Sequence, residues 1–115
     1  MPRRSDKALL DYFVSLCIEH ELAQDAANSS RANKIFDQIN AVTEEIRARQ
    51  LRHKLEDYEF HPSPTVRKIA AFNIYRDNPE LAASILKRVA DYGGLVGFSA
   101  EMLSEEIKAG RVEPP

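Results

Sequence analysis

The chain has 115 residues, 43% hydrophobic and 30% charged, with a net charge of −2. That length suits one domain with a core able to bury roughly two thirds of the unfolded surface. The small net charge excludes a molecule drawn as a whole to nucleic acid or an anionic membrane. One cysteine, Cys17, rules out an intrachain disulfide and suits a reducing cytoplasm.

Residues 1–5 read as a flexible N-terminus. Asp6, Lys7, Asp11 and Glu19 interrupt the apolar run after the basic start, which speaks against a secretion leader. No run approaches the ~18 apolar residues of a membrane span. Between Pro2 and Pro62 there is neither proline nor glycine, a composition that favours helices. The first helix is predicted over Asp6–Asp25, with Ser5 as its N-cap. Leu9, Leu10, Phe13, Val14, Leu16, Cys17, Ile18 and Leu22 give it a broad apolar stripe. "DAANSS" reads as a break.

The second helix starts near Ser30. Ala32, Ile35, Ile39, Val42 and Ile46 form a narrow seam, widened by Phe36, suited to another helix. The seam serves either internal packing or a homodimer. Leu51, Leu55 and Tyr58 continue out of phase, rotated by roughly 140° at 100° per residue. This predicts a break at residues 47–50 and a short third helix.

Ser63 with Pro64, and Asn78 with Pro79, are cap-and-proline starts for a fourth and a fifth helix. Their inner faces are Val66, Ile69, Ala70 and Ile74, then Leu81, Ala82, Ile85, Leu86 and Val89. "DYGGLVGFSAEM" holds three of the four glycines, Gly93, Gly94 and Gly97, around apolar Leu95, Val96 and Phe98. The expectation is a loop folded inward as a plug over the open end of the helical stack, because three exposed apolar side chains forgo stabilisation. An exposed loop would instead be a partner-binding patch. Ser99 is the expected N-cap of the last helix, Phe98 its staple onto Leu103, and Gly110 its end. Met102, Leu103 and Ile107 should bury it, and residues 111–115 should form a frayed tail. The whole reads as six helices in a single all-α domain over residues 6–110.

"HPSPTVRKIAAFNIY" resembles a HEAT-type helical repeat, with Pro64, Val66, Arg67, Ala70 and Ile74 at the repeat's Pro, Val, Arg, Ala and Leu positions. The longer order of a helical hairpin, "HPSPTVRKIAA", "NPELAASILKRVA" and "GFSAEM" is similar to a small bacterial family, domain of unknown function (DUF) twenty-nineteen. The resemblance covers residues 8–108 and implies an armadillo/HEAT-like α-α superhelix with no established activity. Asn73 departs from the small apolar residue usual in such repeats and is expected as a core amide bonded to neighbouring backbone.

Candidate chemistry is sparse. His53 and Glu56 share a helix face, but a third metal ligand would have to be His61, past the helix end. Glu19, His20 and Glu21 point apart. Both groups read as solvated surface, and no metal or cofactor is expected. Cys17 reads as a small core residue. No phosphate-binding glycine loop occurs, so an enzyme is disfavoured. The basic cluster Arg47, Arg49, Arg52, His53 and Lys54 is followed at once by acidic "LEDYE". The reading is a cytoplasmic protein-binding module using a face of stacked helices. Arg47, Arg49 and Arg52 are its charge anchors, with Tyr58 and an exposed Tyr75 as amphipathic contacts. The alternatives are nucleic-acid binding through residues 47–54 and an enzyme with an unrecognised pocket.

Overall fold

The computed structural model describes residues 3–115. The start of the segment expected to be flexible, residues 1–2, lies outside them. The fold is all-α: α1 (Asp6–Asp25), α2 (Ser29–Ala48), a 3-10 helix (Arg52–Tyr58), α3 (Pro64–Ile74), α4 (Pro79–Tyr92) and α5 (Gly94–Lys108). Among the described residues there is no strand. The chain divides into two compact units, one ending at Leu51 and the other running from Arg52 to Pro115.

In the first unit α1 and α2 pack as a hairpin. Ser5 caps α1 by accepting the Ala8 N–H at 3.1 Å, and Asn28 caps α2 by accepting that of Arg31 at 3.1 Å. Leu9, Phe13, Leu16 and His20 recur at steps of four, three and four, Cys17 lies beside Leu16 on the same stripe, and all five are buried. The stripe is narrower than expected, since Ile18 and Leu22 are exposed on the other side of α1. On α2 the seam of Ile35, Ile39, Val42 and Ile46 is buried within the protein, so it is not a free surface for a second copy. Phe36, expected to widen it, is exposed.

Both helices end without glycine. Ala27 and Gln50 take left-handed backbone angles, φ 55° and 59°. The Asn28 N–H reaches the Ala23 carbonyl and the Leu51 N–H the Ile46 carbonyl, each at 2.9 Å or less. These are Schellman closures, in which the left-handed residue is normally glycine. Leu51 turns inward there and is buried, which settles the expected break. Ala27→Gly should therefore raise stability by about 0.5–1 kcal/mol, read from a denaturant midpoint. The unfolded chain's greater freedom offsets part of the relief. No gain would mean that Ala27 is unstrained.

In the second unit α3 packs against the 3-10 helix, α4 and α5, and α4 packs along α5. Ser63 accepts the Val66 N–H at 3.2 Å and Asn78 that of Leu81 at 3.3 Å, with Pro64 and Pro79 opening their helices as expected. Asn73 is buried, and its amide donates to the Ile69 carbonyl at 2.8 Å, the backbone bond expected of a core asparagine.

The glycine segment is not an inward-folded loop. Gly93, at φ 87°, makes the turn, and α5 begins at Gly94. Leu95 and Phe98 lie in the first turns of that helix and are exposed, so the plug is absent. Ser99 is inside the helix rather than at its cap, and Phe98 and Leu103 form no terminal staple. The reason is Gly97. A Cβ there would stand 2.9 Å from the Ala90 carbonyl oxygen and 3.1 Å from that of Val89. Gly97 and Ala100, both buried, let α5 lie directly on α4, and the larger side chains are turned outward. Met102 is accordingly exposed, and Leu103 and Ile107 only half-buried.

Past α5, Gly110 closes a further Schellman turn, with the Arg111 N–H on the Glu106 carbonyl at 3.0 Å. Residues 111–115, expected to fray, carry specific bonds. Arg111 donates to both oxygens of Glu106, at 2.8 and 3.0 Å. Arg52 Nη1 donates to the Pro115 carbonyl at 2.6 Å.

The Arg111 hydrogen bonds hold the Glu106 carboxyl below its ordinary pKa of 4.5, against a smaller upward push from burial. A carboxylate with a depressed folded pKa adds stability above the unfolded value and loses it as pH falls through the folded one. The Glu106 carboxyl resonance should titrate with a midpoint below 4.5. Arg111→Ala should return that midpoint toward the ordinary value, and no change in the variant would mean that the pair is not formed.

Candidate interaction surface

The five residues expected at a binding face have different fates. Arg47 is exposed in the last turn of α2. Arg49 is internal: its side chain is only 6% exposed and clamps the hairpin, donating to Asp6 at 3.0 Å and to Glu45 at 3.0 Å. Burial works against its charge, but the hydrogen bonds and charges of Asp6 and Glu45 outweigh it and raise the guanidinium pKa above its ordinary value. Arg52 faces Asp77, at 3.3 Å from Nε to Oδ2, besides its bond to Pro115. Tyr58 is half-buried and meets the His61 ring edge-on at 5.9 Å. Tyr75 is half-buried just past α3, rather than exposed. The basic cluster is thus divided, with Arg49 and Arg52 committed to internal ion pairs.

The histidines also separate. His20, expected at the surface, is buried with its ring 6.0 Å from that of Phe36. The signal was available, because His20 stands four residues after Leu16 and three after Cys17, on the inward stripe. His53 is exposed. Glu56 accepts from the Asn78 amide at 2.8 Å, and His61 Nδ1 accepts the Ser63 N–H at 3.0 Å. Among the described residues no three His, Cys, Asp or Glu side chains gather as a metal site.

What the second unit does present is a row of large apolar side chains. Leu95 is 59% exposed, Phe98 62% and Met102 40%, with Tyr92 exposed one turn before them at the end of α4. Steps of three and four put Leu95, Phe98 and Met102 on one face of α5. Glu101 and Glu105 border the row on the side toward α4, and both are exposed. On the side toward α3, the Lys68 ammonium donates to the Ser99 hydroxyl at 2.8 Å. Phe72 and Tyr75 follow Lys68 by one and two turns and are half-buried. Elsewhere in this unit, Arg88 stacks over exposed Phe60 at 4.9 Å and pairs with Glu59 at 2.9 Å. A shallow groove of about 470 Å³ runs between α4 and α5, with Ala83 and Ala90 among its lining and its charges balanced between Lys87, Lys108, Glu101 and Glu105.

No family model matches the chain, and no curated protein matches it. The crystal structure of the protein RPA1889 from Rhodopseudomonas palustris CGA009 is similar, with a TM-score of 0.89 at 22% sequence identity, covering 98% of this chain and 96% of that one. At that identity the likeness shows the fold: an all-α chain of the same helical order. No helix among the described residues is long and apolar enough to cross a membrane.

Proposed function

We propose that this chain is a non-enzymatic protein-binding module whose docking surface is the outward face of α5. One observation carries the reading. A helix that buries glycine and alanine against its neighbour turns leucine, phenylalanine and methionine into water. Each such side chain left in water forgoes about 1.5–3 kcal/mol that a partner could recover by covering it. Isolated exposed apolar residues are ordinary, but a contiguous row on one helix face is a mark of interaction surfaces. The HEAT-type character of residues 61–75 belongs to the same proposal, and a cytoplasmic setting with it.

The reading moves the contact residues from the arginines to α5. Arg49 and Arg52 are held by Asp6, Glu45 and Asp77, which also removes two cations from the nucleic-acid alternative. None of the five nominated residues lies on α5.

The test compares two substitutions at exposed phenylalanines. Phe98→Asp should retain the parental melting temperature and lose a stoichiometric protein that co-purifies with the chain from its source cell. Phe36→Asp should retain both. A partner kept by Phe98→Asp, or lost equally with Phe36→Asp, rejects α5 as the docking face.

A further inference from the structure

A segment that follows the last helix is poorly ordered unless something ties it down. Residues 111–115 are such a segment, and they are tied at both ends. At the root, Gly110 turns the chain at φ 75°, and Arg111 donates to both oxygens of Glu106. At the tip, the Pro115 carbonyl accepts from Arg52 Nη1 at 2.6 Å. Val112, Pro114 and Pro115 are half-buried, whereas Arg111 and Glu113 are exposed. One face of the segment is therefore turned inward, which a frayed tail has no reason to show.

The fastening point is itself held. Arg52 Nε lies 3.3 Å from Asp77 Oδ2 and its Nη2 3.4 Å from Oδ1, the paired grip of a guanidinium on a carboxylate. The third nitrogen, Nη1, takes the Pro115 carbonyl. Arginine presents its donors in a fixed planar fork, so one side chain can hold a carboxylate and a carbonyl at once. Asp77 stands in the turn between α3 and α4, and Glu56 of the same 3-10 helix accepts from Asn78 of that turn at 2.8 Å. Arg52 thus joins the 3-10 helix, the α3–α4 turn and the segment after α5.

We infer that residues 111–115 are a clasp, hinged at Gly110, that fastens the end of α5 to the 3-10 helix opening the second unit and keeps all three Arg52 nitrogens engaged while it is closed. One side chain holds its tip, so it opens more readily than the helices unfold. Arg52 has a donor free for another molecule only in the open form.

Backbone order at Glu113 tests this, because Pro114 and Pro115 carry no N–H to follow. In the parent protein the Glu113 amide should be ordered, with an order parameter above about 0.6. Arg52→Lys keeps the charge opposite Asp77 without the fork, and Arg52→Gln removes the charge as well. In both, the order parameter should fall below about 0.6 while the amide shifts of residues 85–100 stay in place. Glu56→Ala disturbs the same turn without touching Arg52 and should leave Glu113 ordered. A flexible Glu113 in the parent, which needs no variant to detect, would overturn the clasp. So would order that survives both Arg52 substitutions, or equal loosening by Glu56→Ala. Loss of the amide pattern over residues 85–100 together with the loosening would mean that the segment opens only as the unit unfolds, and would overturn it too.

Discussion

Phe13→Ala should lower the unfolding free energy by about 3–5 kcal/mol, the range for deleting a fully buried aromatic side chain. Phe13 is 0% exposed and sits in the middle of the α1 stripe between Leu9 and Leu16. The loss is the transfer energy of the ring plus the cavity it leaves, which a two-helix hairpin can only partly close. A chain of this length has a total stability on the order of 6–17 kcal/mol, so the variant should show a large fall in its chemical-denaturation midpoint. Phe98→Ala provides the contrast, since that ring stands mostly in water and its removal should change stability by no more than about 0.5 kcal/mol. Equal effects at the two positions would mean that the assignment of inside and outside is wrong.

Gly97→Val should destabilise by about 3 kcal/mol. The first added carbon already meets the Ala90 carbonyl oxygen at 2.9 Å and that of Val89 at 3.1 Å. Both are main-chain atoms of α4, which cannot swing aside as a side chain would. The branched methyls of valine enlarge the overlap, so α5 must move off α4 and uncover Ala100 and Val89, both fully buried. Gly97→Ala should cost less, because alanine's better helix propensity, by about 0.8–1 kcal/mol, offsets part of the clash. Thermal unfolding of the two variants would show the order, and a valine variant as stable as the parent would contradict the close approach.

The sequence made the helices legible wherever side chains cap or periodicity is strong. Ser5, Ser63 with Pro64, and Asn78 with Pro79 mark helix starts by chemistry that acts within a few residues, and each forms the expected bond. The seam from Ala32 to Ile46 is buried at every step, because a 3-4 repeat has one way to face a neighbouring helix. The glycine segment is ambiguous because two uses of glycine look alike in a sequence. Gly93 does turn the chain, but Gly97 is a contact residue, and only the position of α4 shows that it lies against a helix. Once Gly97 is the inward position, Leu95 and Phe98 are outward by geometry, and the candidate surface follows. The arginines are hard to place from sequence for a related reason. Arg49 pairs with Asp6, 43 residues earlier, and no local pattern announces a carboxylate brought in by the return of a hairpin.

Cys17 gives the first unit a built-in clock. Its thiol is fully buried in the α1 stripe, and the sequence holds no other sulfhydryl to compete for a reagent. The speed at which a thiol-specific dye reacts with the native protein therefore reports how often that stripe parts, and does so without engineering the chain. Where reclosing outruns the dye, the ratio of native to unfolded labelling speeds is the equilibrium fraction open at that one sulfur.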